Sequence, residues 1–151
     1  MPITRPQLES LLVRANRAKL AYARLDAATV DGTNADLAGP IATALRSLGI
    51  APVDPTSPST VDLAAVPEGG LPQLLDVAGL EVLEAVLGNR ASPDQMADID
   101  NRQEHGKFYE ILEKTVARKQ ARCERMYGHG LSTASLGTLD LDFGPDPGDC
   151  P

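Results

Sequence analysis

Tryptophan is absent from this 151-residue chain, and aromatic residues make up only 3% of it: Tyr22, Phe108, Tyr109, Tyr127 and Phe143. A core must therefore come from Leu, Ala, Val and Ile, which suits close helix packing better than a β-sandwich. The two cysteines, Cys123 and Cys150, are too few and too far apart for a zinc-ligand spacing or a disulfide framework, which fits a reducing compartment. Two histidines, His105 and His129, leave little material for general acid–base work or metal ligation. No apolar run approaches the ~18 residues needed to span a bilayer, and the N-terminus lacks a signal-peptide core. No membrane association is expected, and synthesis in the cytoplasm is. Gly-rich phosphate loops, a G-x-S-x-G elbow and an H-E-x-x-H helix are all missing. The expectation is a non-enzyme with no cofactor and no metal.

Basic residues are missing from long stretches. Only Arg46 and Arg90 lie between Asp26 and Asn101, and none follows Gly128. Five of the fourteen fall in residues 5–24 and seven in residues 102–125. The formal charge of −7 argues against nucleic-acid binding by the whole surface. Its segregation into a basic helix followed by an acidic tail (Asp140, Asp142, Asp146, Asp149) is more informative.

What is present is helical spacing. Thr4 with Gln7 has the form of a capping box. Leu8, Leu11, Leu12, Ala15, Ala18 and Tyr22 then make an apolar stripe, so a first helix is expected to about Leu25 or Ala28. Arg5, Arg14, Arg17, Lys19 and Arg24 are assigned to its solvated surface. Asp31-Gly32-Thr33-Asn34 is a turn, and turn chemistry fits Asp31, Asn34 and Asp36 better than a calcium loop. Leu37, Ile41, Ala44, Leu45 and Leu48 form the second stripe, with its regular part expected after Gly39 because of Pro40. Pro52, Pro55 and Pro58 mark an extended linker over residues 51–59. A short turn capped by Ser59 or Thr60 follows. The strongest stripe is Leu71, Leu74, Leu75, Ala78, Val82, Leu83, Val86 and Leu87, closed at Gly88-Asn89, and it marks the central packing element.

A long helix is expected from Pro93 to Tyr127, opened by Ser92 and Gln95 in capping-box spacing and stopped at Gly128. Gly106 interrupts it and marks either close packing or a bend. Ile99, Phe108, Leu112, Val116, Cys123 and Met126 share one face. Cys123 there reads as a small core hydrophobe. Lys114, Arg118, Arg122 and Arg125, with Lys119, make the basic run; salt-bridged or partner-facing surface and phosphate contact are both open to it. Asp100, Glu104 and His105 are the best cluster for metal or proton chemistry, although a solvated polar face near the start of a helix accounts for them better. After Gly130 the period changes: Leu139, Leu141 and Phe143 alternate with Asp140 and Asp142, which is strand spacing.

The fold class expected is all-α: a bundle of four to five helices over residues 1–128 with one long helix in the C-terminal half. An extended or single-strand tail follows over residues 129–151. The order of elements, with Ser132-Thr133-Ala134-Ser135-Leu136-Gly137-Thr138-Leu139-Asp140-Leu141-Asp142-Phe143 after the basic helix, resembles head–tail connector (adaptor) proteins of tailed bacteriophages. Thr60–Pro67 leading into Leu71–Leu83 is similar to small proteins of the same gene neighbourhood. The long middle section, Ala51 to Gly70, departs from the family's common size.

The resemblance implies a structural virion protein at the neck. It would form a ring, dodecameric by analogy, beneath the portal protein and meet a tail-side neck or tail-completion protein. Leu136, Leu139, Leu141 and Phe143 would anchor on portal or on a neighbouring subunit. Lys114, Arg118, Arg122 and Arg125 would face the portal or the channel, where contact with packaged DNA needs no sequence specificity. The competing reading is a small cytosolic regulatory protein that dimerises through its long helix.

Overall fold

The computed structural model describes residues 2–89 and 99–128. Among them are five helices and no strand: α1 (Arg5–Tyr22), α2 (Ala35–Ser47), α3 (Thr60–Ala64), α4 (Leu71–Gly88) and α5 (Ile99–Tyr127). The expected tail over residues 129–151, and the start of the long helix before Ile99, lie outside the described residues. At about 1.5 Å per residue, α5 is roughly 43 Å long, and it runs through Gly106 without a break. A Cβ at Gly106 would meet nothing within 4 Å, so close packing is not its reason.

The caps follow from local chemistry. Thr4 opens α1 in a reciprocal capping box with Gln7, and Ser59 opens α3 in the same way with Asp62. The Asn34 side chain accepts from the N–H groups of Asp36 and Leu37, which starts α2 at Ala35 rather than after Gly39. Pro40 is accommodated inside the helix, where it removes one early N–H donor. At the far end of α2, the Ile50 N–H reaches the Leu45 carbonyl and the Gly49 N–H reaches Arg46, with Gly49 at φ +78°. That is a Schellman stop on a glycine.

The first helix ends at Tyr22, short of the expected Leu25 or Ala28. It uses the same stop without a glycine: Leu25 N–H bonds to Leu20 O, Arg24 N–H to Ala21 O, and Arg24 takes φ +60°. The buried face of α1 is also rotated from the expected stripe. Leu8, Leu12, Val13 and Leu20 are buried, together with Arg5, Glu9 and Asn16, whereas Leu11 and Tyr22 are more than 40% exposed. Arg5 is therefore not on a solvated surface. It sits in a polar clasp whose partners come from two distant loops.

In that clasp Glu9 Oε1 accepts from Arg5 Nε (3.0 Å) and from Asn34 N–H (3.2 Å), and its Oε2 accepts from Gly32 N–H (2.7 Å). The Arg5 guanidinium donates onward to the carbonyls of Pro58 (2.6 Å) and Asn34 (3.2 Å) and to Ser57 Oγ. Residues 51–59 are thus tied to the body, with Val53 N–H also bonded to Asp62. Gly32, at φ +97°, supplies a backbone conformation that few other residues adopt there.

The fourth helix is the central element. It packs on α1, α2 and α5, most extensively on α2. Leu74, Val77, Val82, Leu83 and Val86 are almost fully buried, each contributing about 1.5–3 kcal/mol. Asn89 Nδ2 donates to the Ala23 carbonyl, so the ends of α1 and α4 meet. Pro2, Ile3 and Leu71 line one hollow at the other end, so these two helices run alongside in the same direction. On α5, Tyr127 Oη donates to Asp76 Oδ2 (2.7 Å), while His105 meets Tyr22. The last helix therefore runs back the opposite way, and its C-terminus lies at the end of the bundle where α1 and α4 begin.

Candidate functional site

The helix α5 divides into two sides. Tyr109, Leu112, Val116 and Cys123 are buried in the common core, with Phe108 and Tyr127 packed against it. Cys123 is a core residue as its spacing foretold, and burial pushes its thiol above the usual value. Lys114, Arg118, Arg122 and Arg125 are all exposed, and their spacing of four, four and three residues sets them along one stripe. Lys114 pairs with Glu110 at 2.7 Å, one turn back, and that bond and charge hold the Glu110 carboxyl below its ordinary value. Both partners are 64% exposed, so solvent screening leaves the pair little weight in stability. Lys119 departs from the stripe, its Nζ reaching across α4 above Gly79.

Of the Asp100–Glu104–His105 cluster, the side chains of Glu104 and His105 are described. Glu104 is exposed and the adjoining His105 is buried, which corrects the placement of His105 on a solvated face. The side chain of Asp100 lies outside the described residues. His105 Nδ1 is 2.7 Å from Tyr22 Oη, the two rings stack at 5.1 Å, and Tyr109 meets His105 edge-on. Phe108 covers Tyr22 with ring centroids 4.2 Å apart. Four of the chain's few rings lock the end of α1 to α5. Their arrangement is packing, each pair adding about 0.5–1.5 kcal/mol beyond area burial.

Among the described residues no three His, Cys, Asp or Glu side chains converge as metal ligands, and no helix is long and apolar enough to cross a membrane. Two other features escaped the spacing argument. The Arg5–Glu9 clasp is one; its signal is that positions 5, 9 and 16 share a helical face with Leu8, Leu12 and Leu20. The other is Glu81 with Glu84 on α4, half-buried three residues apart. Desolvation, helped by Glu84, pushes the Glu81 carboxyl to about 7. Burial raises Glu84 as well. Asp31 and Asn34 serve turn chemistry as expected: Asp31 Oδ1 accepts from Thr33, and Asn34 caps α2.

An open-sided hollow lies where α1 and α4 begin and α3 ends. Its larger part, about 610 Å³, is bounded by Pro2, Ile3, Gln7, Ser10, Leu11 and Leu71. An adjoining part of about 300 Å³ reaches Leu63, Val66 and Pro67, with Glu68 as its one charged wall. Its walls carry no convergent set of acid, base and nucleophile. The candidate binding residues Leu136, Leu139, Leu141 and Phe143 lie outside the described residues. Comparison with protein-family models, with curated proteins and with solved structures finds no match to this chain.

Proposed function

We propose that this chain is a head–tail connector (adaptor) subunit of a tailed bacteriophage, a structural, non-enzymatic virion protein at the neck. It assembles as a ring, dodecameric by analogy, beneath the portal protein and extends the DNA channel towards a tail-side neck or tail-completion protein. The observation that carries this reading is the division of α5. Tyr109, Leu112, Val116 and Cys123 are buried inside the subunit, and the outer side of the helix offers Lys114, Arg118, Arg122 and Arg125 to something else. Repeated around a ring, the three outward arginines of each subunit, with Lys114 paired to Glu110 beside them, become a basic belt suited to sequence-independent phosphate contact or to an acidic portal surface. The acidic alternating segment with Leu136, Leu139, Leu141 and Phe143 follows directly and supplies the anchor on portal or on a neighbour.

Electron microscopy of the protein mixed with its portal tests the reading. Added density beneath the portal with the portal's rotational symmetry is expected. A stable monomer indifferent to portal overturns it. Truncation after Gly130 is expected to leave helix content nearly unchanged and to abolish portal binding.

The competing reading, a regulatory protein dimerising through its long helix, draws on Ile111 and Met126, which are exposed on α5 at 65% and 56%. Tyr109, Leu112, Val116 and Cys123 of that helix are already buried in its own subunit. A two-chain mass in dilute solution without assembly on virion proteins would favour the dimer.

A further inference from the structure

The hollow at the start of α1 is apolar, open and oddly supplied. Leu11 faces it at 45% exposure and Leu71 at 37%, Ile3 lines both of its parts, and Val66 adds an apolar wall to the smaller one. Leu11 is also the leucine that the rotation of α1 turned away from the core. A folded chain that leaves two leucines around an open hollow of this size has a surface suited to an extended segment laid across it, since nothing encloses a small ligand there.

The chain itself carries such a segment and delivers it to this end of the bundle. Tyr127 is bonded to Asp76, only five residues along α4 from Leu71. Gly128 thus lies within a few turns of the hollow. From there to Leu139, extended backbone spans up to roughly 36 Å at about 3.3 Å per residue, ample to cross the end of a bundle of this size. The alternation of Leu139, Leu141 and Phe143 with Asp140 and Asp142 gives one apolar edge and one acidic edge. An open groove takes one edge and leaves the other in water. The walls are mostly apolar or uncharged, Arg14 stands one turn beyond Ser10 on the same exposed side of α1, and Glu68 is the one carboxylate lining the hollow.

We propose that this hollow is the docking site, in the free subunit, of the chain's own C-terminal segment, with Leu139, Leu141 and Phe143 seated between Leu11 and Leu71. The inference goes beyond the connector reading and does not depend on it: a cytosolic dimer would carry the same contact. In a connector, portal and hollow would compete for one apolar edge, so an unassembled subunit would keep its anchor covered.

Hydrogen–deuterium exchange on the full-length chain tests this. At low concentration, amides around Leu139–Phe143 are expected to exchange at least tenfold more slowly than in a full-length variant carrying Leu139→Asp and Leu141→Asp. Leu11→Asp, on an exposed position, is expected to remove the same protection while leaving the helical signal intact. The tail variant keeps the test open should Leu11→Asp fail to fold, because amides of residues 63–71 would then exchange faster in the tail variant than in the parent. Absence of slowing in the parent overturns the proposal. So does slowing that survives Leu11→Asp in a folded variant. Protection that fades on a hundredfold dilution also overturns it, by assigning the hollow to a second copy.

Discussion

Truncating Glu9 to alanine strikes a buried ion pair on which the helical body depends. The carboxylate is fully buried and accepts three bonds, from Arg5 Nε, Gly32 N–H and Asn34 N–H. Without it the Arg5 guanidinium, itself 6% exposed, keeps two carbonyls and a hydroxyl but loses its counter-charge. Two backbone N–H groups lose their acceptor in the same step. Breaking a buried pair from one side costs about 3–5 kcal/mol, because the remaining ion stays desolvated. Set against a total stability on the order of 5–15 kcal/mol for a domain of this size, that is enough to bring the protein near its unfolding threshold.

Urea titration followed by circular dichroism measures it. Replacing both partners, Arg5→Met with Glu9→Met, is expected to cost less than the two single changes together by roughly 2 kcal/mol or more, since no charge is then stranded. The loss from Glu9→Ala should change little between low and high salt, unlike that of an exposed pair such as Glu110–Lys114. A cost below about 1 kcal/mol for Glu9→Ala, or strict additivity in the double variant, would refute the reasoning, because the clasp would then be a satisfied surface pair.

Four further outcomes are expected. Glu81, raised to about 7 in the fold, binds a proton more tightly there than in the unfolded chain, so stability falls as pH rises from about 4.5 to about 7. Glu81→Gln should therefore stabilise by about 1–2 kcal/mol at pH 8 and by nothing near pH 4, in denaturation curves at both values. Arg24 occupies a left-handed stop that suits glycine, so Arg24→Gly should raise the melting midpoint by an amount equivalent to about 1 kcal/mol, whereas Arg24→Val should lower it. In a Cys150→Ser variant, a disulfide thiol reagent should find Cys123 unreactive until denaturant is added. Arg118→Glu with Arg122→Glu should leave stability within about 0.5 kcal/mol and weaken any retention on DNA, with a shallower salt dependence; unchanged retention would assign the stripe to a protein surface.

How far the sequence could be read depended on the distance over which each decision was made. Thr4 with Gln7, the central stripe from Leu74 to Val86 and the stop at Gly128 are local, and the helices they imply are present. The outward stripe from Lys114 to Arg125 was equally legible, because three- and four-residue spacing on a long helix fixes a face without reference to anything else. The face of α1 could not be read locally. Counting apolar residues put Leu11 and Tyr22 inward and Arg5 outward, yet Arg5 binds the Pro58 carbonyl, 53 residues away, and Glu9 binds the backbone of residues 32 and 34. These loop groups need buried partners, and a helix offering a charged fork and a carboxylate satisfies them by rotating Leu11 out. His105 was misplaced for a related reason. Beside Glu104 it looked polar, but a core this poor in rings uses Tyr22, Phe108 and Tyr109 together, and the imidazole completes their stack. In both places long-range hydrogen bonding overrode local hydropathy, and in one of them the displaced leucine became the wall of an open hollow. That hollow is where the fold's internal demands reach its surface, which makes Leu11→Asp more informative than any change in the core.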